Sequence, residues 1–448
     1  MSPSRQKDAA KPRSYVFCYY VSGHGYGHAT RVVQVASEIL SLSRKHILYI
    51  ISNAPRFIFQ GAIDRGAKYR HALIDAGVQQ PRAYTVDRKQ TIDDLKAFLQ
   101  NRPEMITREV GWLKEVKADV VLSDAPFLPC AAASAAGIPS SIVSNFTFDA
   151  VYNGLCEGDD LDVTIRQLVE QVVEDYKKSD LLIRLPGYIP IPSYNGTQLY
   201  PDSSVSIKPV KLLNGCSATI GINHLNGFDF ALTKHHGNVI DVPLVVRKSI
   251  TPRDVFLSSL GIPREIHETH KILMVSFGGQ NLVGMKEWGN PLPSGWIAIV
   301  CGGDPETLPE KFYKCPREAY IPDLTNAADV VMGKLGYGTC SECIGHEKPF
   351  IYVPRPQFIE ELGLRRLMEM QGSCVEMQKE HFETGQWKKY ILQASCMPGA
   401  CEDVSKRLSH DGGKVAAKLI EKFLDARVMT IRKSKNISGS VPNNPILI

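Results

Sequence analysis

Short apolar runs alternate with segments of helical periodicity along most of this 448-residue chain, and that alternation is typical of a parallel α/β fold. In the first half, strands are predicted at residues 15–21, 47–51, 119–123, 141–144 and 180–184. Apolar residues at helical spacing follow the first strand, and residues 129–136 and 161–178 predict two further helices. The first half therefore predicts one doubly wound domain.

The same alternation restarts after a break, with strands predicted at residues 272–277, 296–300, 329–332 and 350–353 and helices near 254–260, 339–345, 359–371 and 404–424. We therefore predict two doubly wound, Rossmann-like α/β domains, at residues 14–192 and 238–428. Residues 193–237 show no convincing period and form a predicted irregular insertion. Residues 1–13 and 429–448 are predicted to be flexible tails. Ligands of such sheets bind in the cleft at the carboxyl ends of the strands.

Composition and charge narrow the classes of function. Apolar residues make up 44% of the chain, and the formal net charge is only +5, with many basic residues in the two tails. This does not favour nucleic-acid binding, which needs a basic patch on the folded body. No apolar run approaches the roughly 20 residues of a transmembrane helix, and no secretory signal is recognisable. We expect a cytoplasmic protein with no transmembrane segment, which leaves peripheral membrane association open.

The cysteines do not form a recognisable framework. They number 11 and are scattered along the chain, which does not favour disulfides. Cys340 and Cys343, followed by His346, have the spacing of half a zinc site, but a second ligand pair at usable spacing is missing. We therefore interpret these residues as small side chains on one helix and predict no metal site.

A first glycine-rich loop, residues 23–28 (GHGYGH), lies between the first strand and a helix. Its glycines, which allow a ligand to approach closely, are Gly23, Gly25 and Gly27. The helix N-terminus favours a negatively charged or oxygen-rich ligand, although the spacing matches neither a Walker loop nor G-x-G-x-x-G. His24 and His28 are candidate general bases near neutral pH. Alternatively, either histidine hydrogen-bonds the backbone and shapes the turn.

Asp124 follows the predicted strand 119–123 and therefore points into the same cleft. A carboxylate beside a histidine orients the imidazole and stabilises its protonated form, as in a catalytic dyad. Alternatively, Asp124 caps the alanine-rich helix that follows. The residues alone leave both interpretations open.

Two glycine-rich loops follow strands in the second half. The first contains Gly278, Gly279 and Gln280, where a phosphate has room to approach. The second, residues 333–342 (GKLGYGTCSE), is the more specific of the two. Its Gly336, Gly338 and Thr339 are predicted to bind a diphosphate at a helix N-terminus.

Three further polar residues are predicted to contact a ligand in the same cleft. Glu342 falls in the first turn of the predicted helix, where its carboxylate can accept both hydroxyls of a ribose; alternatively it complements the helix dipole. Gln357 and Glu361 open the next predicted helix and are candidate contacts for sugar hydroxyls.

Taken together, these loops resemble the family 28 glycosyltransferases. A closer resemblance, over nearly the whole chain, is to the N-terminal, glycosyltransferase-like half of plant L-arabinokinases. The stretches that carry it are residues 19–33, 85–88, 182–188, 241–247, 333–339 and 412–413. The resemblance implies the GT-B fold, with an N-terminal acceptor domain and a C-terminal domain that binds a nucleotide-sugar.

The resemblance also implies a mechanism. His28, oriented by Asp124, removes a proton from the acceptor as its oxygen attacks the anomeric carbon of a UDP-sugar, which predicts inversion. The UDP-sugar is then a co-substrate, and no separate cofactor is expected. Two rival functions stay open: a UDP-sugar epimerase or hydrolase, and a non-catalytic module that binds a nucleotide-sugar.

The sequence departs from the arabinokinase pattern in two places. Those proteins continue into a sugar-kinase domain, whereas this sequence contains no Gly-Leu-Ser-Ser-Ser type phosphate loop, so kinase activity is not expected. The insertion at residues 193–237 is the other departure, and its role is open.

Overall fold

The computed structural model describes residues 13–82, 84–195, 238–278, 289–302 and 308–438. The strands in these ranges are β1 Val16–Val21, β2 Ile47–Ser52, β3 Lys68–His71, β4 Val120–Asp124, β5 Ser140–Ser144, β6 Leu181–Arg184, β7 Asn238–Asp241, β8 Lys271–Ser276, β9 Trp296–Cys301, β10 Phe312–Cys315, β11 Val330–Gly333, β12 Phe350–Tyr352 and β13 Cys374–Glu376.

The helices lie between and after these strands. They are α1 Tyr26–Leu40, α2 Gln60–Ile63, α3 Arg88–Glu115, α4 Leu128–Ala136, α5 Phe148–Asn153, α6 Leu161–Tyr176, α7 Pro192–Asn195, α8 Arg253–Ser259, α9 Arg264–Thr269, α10 Ile321–Ala327, α11 Tyr337–Gly345, α12 Glu360–Gln371, α13 Lys379–Glu383, α14 Lys388–Ser395 and α15 Gly412–Ser438. The described residues also include short 3-10 turns at Arg56–Phe59 and Val404–Lys406.

The strands form two parallel sheets. The N-terminal sheet has the order β3-β2-β1-β4-β5-β6-β7, and the C-terminal sheet has the order β10-β9-β8-β11-β12-β13. In each sheet the strand order reverses beside the first strand of the domain, at β1 and at β8. Ligand clefts of doubly wound sheets lie at that reversal, at the carboxyl ends of the strands. The predicted pair of Rossmann-like α/β domains is confirmed.

Strand β1 shows why these sequences form buried strands. Phe17 and Tyr19 pack into the core that contains residues of α1 and α15, whereas Cys18 and Tyr20 pack with residues of α3 and α4. All four side chains are buried. A strand covered on both faces is apolar throughout, as expected for a parallel sheet between two helical layers.

Helix α15 follows the C-terminal sheet along the chain and packs on α1 of the N-terminal domain, so it connects the two domains. Asp425 accepts hydrogen bonds from both terminal nitrogens of Arg44, each at 2.7 Å, and Glu421 lies 3.0 Å from Nε2 of His46. Helix α15 begins at Gly412, which packs closely against residues 243–244. A Cβ at Gly412 would lie 2.1 Å from the carbonyl oxygen of Pro243, so only glycine fits there.

The structure differs from the predicted domain limits in two ways. Strand β7 falls beyond the predicted boundary at residue 237, yet it pairs with β6 in the N-terminal sheet. Four residues of mixed polarity carry too little pattern to reveal such a long-range pairing. Residues 429–438 continue α15 rather than starting a tail. The rest of both predicted tails, and residues 196–237 of the predicted insertion, lie outside the described residues.

One predicted helix is wrong in extent. Residues 404–424 form a 3-10 turn, then a loop, and only from Gly412 a helix. The loop is anchored by a backbone hydrogen bond, in which the Leu244 N–H donates to the carbonyl oxygen of Ser409. Within the described ranges, no helix combines the length and the apolar character needed to cross a bilayer.

Candidate active site in the interdomain cleft

The two domains enclose a cavity of about 70 Å³ at the carboxyl ends of their central strands. The N-terminal domain contributes the loop and first turn of α1, and the C-terminal domain contributes the loop between β11 and α11. The polar and charged side chains that line it are His24, His28, Arg31, Gln80, Lys334, Arg355 and Glu360. The apolar side chains that line it are Val78, Phe146, Phe148, Val151 and Phe358.

The structure brings His28 and Asp124 together. Nδ1 of His28 lies 2.9 Å from Oδ2 of Asp124. The Asp124 side chain is completely buried, and the His28 side chain is 12% exposed. Nη2 of Arg31 lies 3.2 Å from the same nitrogen. In the tautomer that donates the Nδ1 proton to Asp124, Nε2 is the basic atom. The contact would suit a histidine general base with an orienting aspartate.

Asp124 is not a helix cap, the alternative that the sequence left open. Helix α4 begins at Leu128, and its cap position, occupied by Phe127, has no side-chain hydrogen bond. Ala125 instead adopts the left-handed conformation, with φ of 68°. Because that conformation costs a non-glycine residue about 1 to 2 kcal/mol, the surrounding structure must hold the turn in place. The carbonyl oxygen of Ala125 accepts a hydrogen bond from the buried Tyr176 hydroxyl.

Arg31 is a site residue that the sequence did not reveal. Its Nε donates to Oδ1 of Asp124 at 2.6 Å, and its terminal nitrogens donate to Oγ of Ser144 at 2.9 Å and to Oδ1 of Asn145. The guanidinium therefore balances the buried charge of Asp124 and anchors it to the end of β5. Arg31 follows His28 by three residues in α1, so both side chains share one helix face.

His24 also lines the cavity, and it has its own carboxylate. Nε2 of His24 lies 3.3 Å from Oδ1 of Asp75, which is completely buried. Burial lowers the pKa of His24, but the nearby Asp75 carboxylate outweighs that effect, so the pKa lies above its ordinary value. The predicted loop therefore presents two histidines, each with its own aspartate. Asp75 lies in a loop after β3, and no sequence signal marked it.

The three glycines of this loop have different surroundings. Gly25 and Gly27 line the cavity, and Gly25 has φ of 100°. Gly23 lies against Asn53, where an added Cβ would come within 2.0 Å of Oδ1. Its role is therefore close packing of the loop against the end of β2.

In the C-terminal domain, helix α11 begins at Tyr337, two residues earlier than predicted, with Gly336 at its cap. Gly336 lines the cavity, whereas Gly338 packs against α1, since a Cβ there would lie 2.5 Å from Oγ1 of Thr30. Thr339 lies in the first turn. The N-terminus of α11 therefore borders the same cavity as the histidines, and a helix N-terminus suits a phosphate.

Lys334 is a second residue that the sequence reasoning missed. It lies in the β11–α11 loop, and its Nζ lies 3.5 Å from Oε1 of Gln80 in the other domain. Among the described residues no carboxylate lies within ion-pair distance of Nζ. Burial, and next the charge of Arg355, lowers the pKa of Lys334 to about 7. A buried ammonium without a carboxylate partner is stabilised by an anionic ligand. Its place within a glycine-rich loop was the available signal.

Glu342 lies deeper than predicted. Because α11 begins at Tyr337, Glu342 is in its second turn and not its first. Its Oε1 accepts hydrogen bonds from Nε and Nη2 of Arg247, at 2.9 and 2.6 Å. Burial raises the pKa of Glu342, and the charge of Arg247 opposes that shift. Glu342 is not among the residues that line the cavity, so its contact with a ribose stays a prediction.

The remaining predicted donor contacts are distributed around the cleft. The carboxylate of the buried Glu361 accepts hydrogen bonds from the guanidinium and from the backbone N–H of Arg355. Gln357 donates to Glu157 of the other domain at 2.9 Å. The neighbouring Glu360, rather than either of them, lines the cavity.

The loop after β8 is described only in part. Gly278 has φ of 68°, and a Cβ there would lie 3.3 Å from the Lys334 side chain. Gly279 and Gln280 lie outside the described residues. Cys340 and Cys343 are buried in α11, and the part of the chain that the structure describes contains no cluster of three or more potential metal ligands.

No protein-family model matches the chain. The chain is 34% identical over 418 residues to L-arabinokinase of Arabidopsis thaliana, an alignment that covers 92% of this chain and 35% of that protein. The chain thus spans about a third of the length of the curated relative that it matches.

Solved structures with the same fold are glycosyltransferases. CalG4, the calicheamicin glycosyltransferase, superposes with a TM-score of 0.55 at 15% identity, covering 92% of this chain and 99% of that one. UGT2 of Phytolacca americana, solved with UDP-2-fluoro-glucose and pterostilbene, has a TM-score of 0.50 at 12% identity over 94% and 99% of the two chains. The chain therefore has the two-domain GT-B glycosyltransferase fold, and over nearly all of its length it is similar to about a third of an L-arabinokinase.

Proposed function

We propose that this chain transfers a sugar from a UDP-sugar to a hydroxyl group of an acceptor, with inversion at the anomeric carbon. The observation that carries the proposal is the His28–Asp124 pair, which faces the first turn of α11 and Lys334 across one cavity. One side of the cavity thus carries a base and the other carries groups suited to a diphosphate. That is the arrangement an in-line displacement requires.

The proposed reaction follows from these positions. Nε2 of His28 takes the acceptor proton while the acceptor oxygen forms its bond to the anomeric carbon. The bond between that carbon and the UDP oxygen breaks, and the electron pair leaves with the diphosphate. Lys334 and the N–H groups of α11 stabilise the departing charge. General-base help of this kind contributes about 10² to 10⁴-fold in rate.

The donor assignments fit one side of the cleft. Gly336, Gly338 and Thr339 belong to the start of α11, and in our proposal they bind the diphosphate together with Gly278, Gly279 and Gln280. Glu342 binds the ribose, and Gln357 and Glu361 bind the donor sugar directly or through Arg355. The proposal requires no metal, because a lysine and a helix N-terminus provide the positive charge.

The experiment that tests this function measures UDP release from a panel of UDP-sugars, with and without pools of candidate acceptors. We expect release that depends on an acceptor, and a loss of about 10² to 10⁴-fold in the His28→Ala variant. The matched control is His71→Ala, an exposed histidine at the end of β3. Release without an acceptor would point to a hydrolase, and UDP binding without any release would point to a binding module.

A further inference from the structure

A second histidine–carboxylate pair borders the cavity, in addition to the proposed base. His24 lines it beside His28, and Asp75 lies 3.3 Å from Nε2 of His24. Neither carboxylate oxygen of the completely buried Asp75 has a hydrogen-bond partner among the described residues, and the same holds for Nε2 of His24. Buried polar groups nearly always find such partners. These three atoms are closed to solvent and lie against each other, so a ligand hydroxyl reaches the pair only at the exposed edge of the His24 ring, a side chain that is 23% exposed.

The backbone fixes the position of this pair. Gly77 has φ of 62°, and a Cβ there would lie 1.9 Å from the His24 ring. The imidazole therefore lies directly on the Gly77 backbone, where only glycine leaves room for it. The carbonyl oxygen of Gly77 accepts a hydrogen bond from the buried Tyr152 hydroxyl at 3.1 Å. Because the loop is anchored in this way, His24 is oriented by the fold.

The charges around the cavity indicate what kind of acceptor it takes. Arg31 is paired with Asp124, Arg355 with Glu361, and His24 with Asp75. Among the described cavity residues this leaves Lys334, on the donor side, as the cation for the diphosphate. Among the described residues that line the N-terminal side of the cavity, an anionic acceptor would find no unmatched cation. The neighbouring walls are the apolar side chains Phe146, Phe148 and Val151.

We propose that His24, held by Asp75, binds a second hydroxyl group of the acceptor while His28 takes the proton from the first. The acceptor is then an uncharged molecule with several hydroxyl groups, of the sugar or polyol class, rather than a phenol with a single hydroxyl. The apolar wall packs against its C–H groups, and the two imidazoles bind its hydroxyls. This inference rests on the proposed function, because it assigns the acceptor half of the same site.

The test separates the two halves of the site. UDP affinity is measured first by calorimetry, and then a panel of free pentoses, hexoses, sugar alcohols and monohydroxy phenols is titrated into UDP-saturated protein. We expect at least one sugar or polyol to bind and the phenols not to bind. Binding of phenols alone, or of nothing in the panel, would overturn the inference while leaving UDP binding, and with it the donor site, intact. Absence of UDP binding would instead contradict the proposed function.

The His24→Phe variant keeps a ring against Gly77 but cannot hydrogen-bond, and Asp75→Asn keeps the shape but removes the charge. We expect each to weaken sugar binding about tenfold or more, as a site built to hydrogen-bond a hydroxyl does when the bond is lost, with UDP affinity unchanged. His71→Phe is the matched control. Unchanged sugar affinity in His24→Phe would overturn the inference, and if that variant fails to fold, the panel on the unaltered protein still decides.

Discussion

The Arg31 guanidinium, in the N-terminal domain, lies 5.2 Å from the ring centre of Tyr337, the first residue of α11 in the C-terminal domain. The same guanidinium holds Asp124, which in turn holds His28. One buried side chain therefore joins the proposed base to the helix that is proposed to bind the diphosphate. In the structure, the contact between α1 and α11 and the orientation of the base share this guanidinium.

Arg31→Ala leaves the buried Asp124 carboxylate without its cation. Breaking a buried ion pair in this way costs about 3 to 5 kcal/mol, and we expect a corresponding fall in the denaturant midpoint followed by tryptophan fluorescence. Arg31→Lys should restore part of the stability but little of the turnover, because one ammonium cannot reach Asp124, Ser144 and Asn145 together.

The control for Arg31 is Arg264→Ala, which removes an exposed ion pair with Glu268 on α9 and should leave the midpoint unchanged. If Arg31→Ala unfolds at the same denaturant concentration as this control, the buried ion pair does not have the structural role assigned to it.

Asp124→Asn tests the orienting role of the carboxylate. An amide can keep the hydrogen bond to His28 yet favours the wrong tautomer and no longer stabilises the imidazolium. We expect a large loss of kcat with KM for the donor little changed, measured as steady-state UDP release. A variant that keeps full kcat would remove Asp124 from the mechanism.

UDP affinity should depend on pH through Lys334. Its pKa of about 7 means that the free protein loses this ammonium as pH rises above 7. A bound diphosphate favours the charged form, so binding takes up a proton above that pH. Affinity should therefore fall between pH 7.5 and 9.5, by up to about tenfold for each pH unit. The charges facing Lys334 are those of Arg355, Glu360 and Glu361.

Calorimetry in buffers of different ionisation enthalpy measures that proton uptake directly. Lys334→Met should lose most of the affinity together with the pH dependence, whereas Lys388→Met, at an exposed position of α14, should change neither. An unaltered protein with constant affinity over this range and no proton uptake would contradict the role given to Lys334.

Gly77→Ala places a methyl group in the space of the His24 ring and forces an alanine into φ of 62°. We expect a loss of stability in the unaltered background that exceeds the loss in a His24→Ala background, because the second change removes the clash. Denaturant unfolding of the four proteins in this double-mutant cycle measures the difference. Equal losses would mean that the ring does not lie on Gly77.

Glu342→Ala should weaken UDP binding if the carboxylate reaches the ribose, and Arg247→Ala should weaken it less, because it removes only the side chain that holds Glu342. Competition with a fluorescent UDP analogue measures both affinities, and Glu265→Ala, an exposed residue of α9, is the control. Equal UDP affinity in Glu342→Ala and in the control would remove Glu342 from the donor site.

Much of the architecture could be predicted from the sequence, because buried parallel strands carry a strong local pattern. Val120–Asp124 and Trp296–Cys301 lie within one residue of their predicted limits. The strands that were missed are short, such as Lys68–His71 and Cys374–Glu376, and they form through pairing with distant partners. The long helix Arg88–Glu115 was missed because it is weakly amphipathic and contains Pro103.

The site could be predicted only where it lies on loops that follow strands. His28 and Asp124 were both identified, since the ends of neighbouring parallel strands meet at one edge of a sheet. Arg31, Asp75 and Lys334 were not, because their importance comes from burial and from partners far along the chain. Asp75 and His24, for example, meet only because Gly77 lets the imidazole lie on the backbone.

The most direct test of the account is a calorimetric titration with UDP, UDP-glucose, UDP-GlcNAc and UDP-arabinose, with ADP as the control, on the unaltered protein and the His28→Ala and Lys334→Met variants. We predict selective uridine-diphosphate binding that survives in His28→Ala and is lost in Lys334→Met. Absence of binding to every uridine ligand, or equal binding by the unaltered protein and Lys334→Met, would contradict the proposed donor site and with it the proposed sugar transfer.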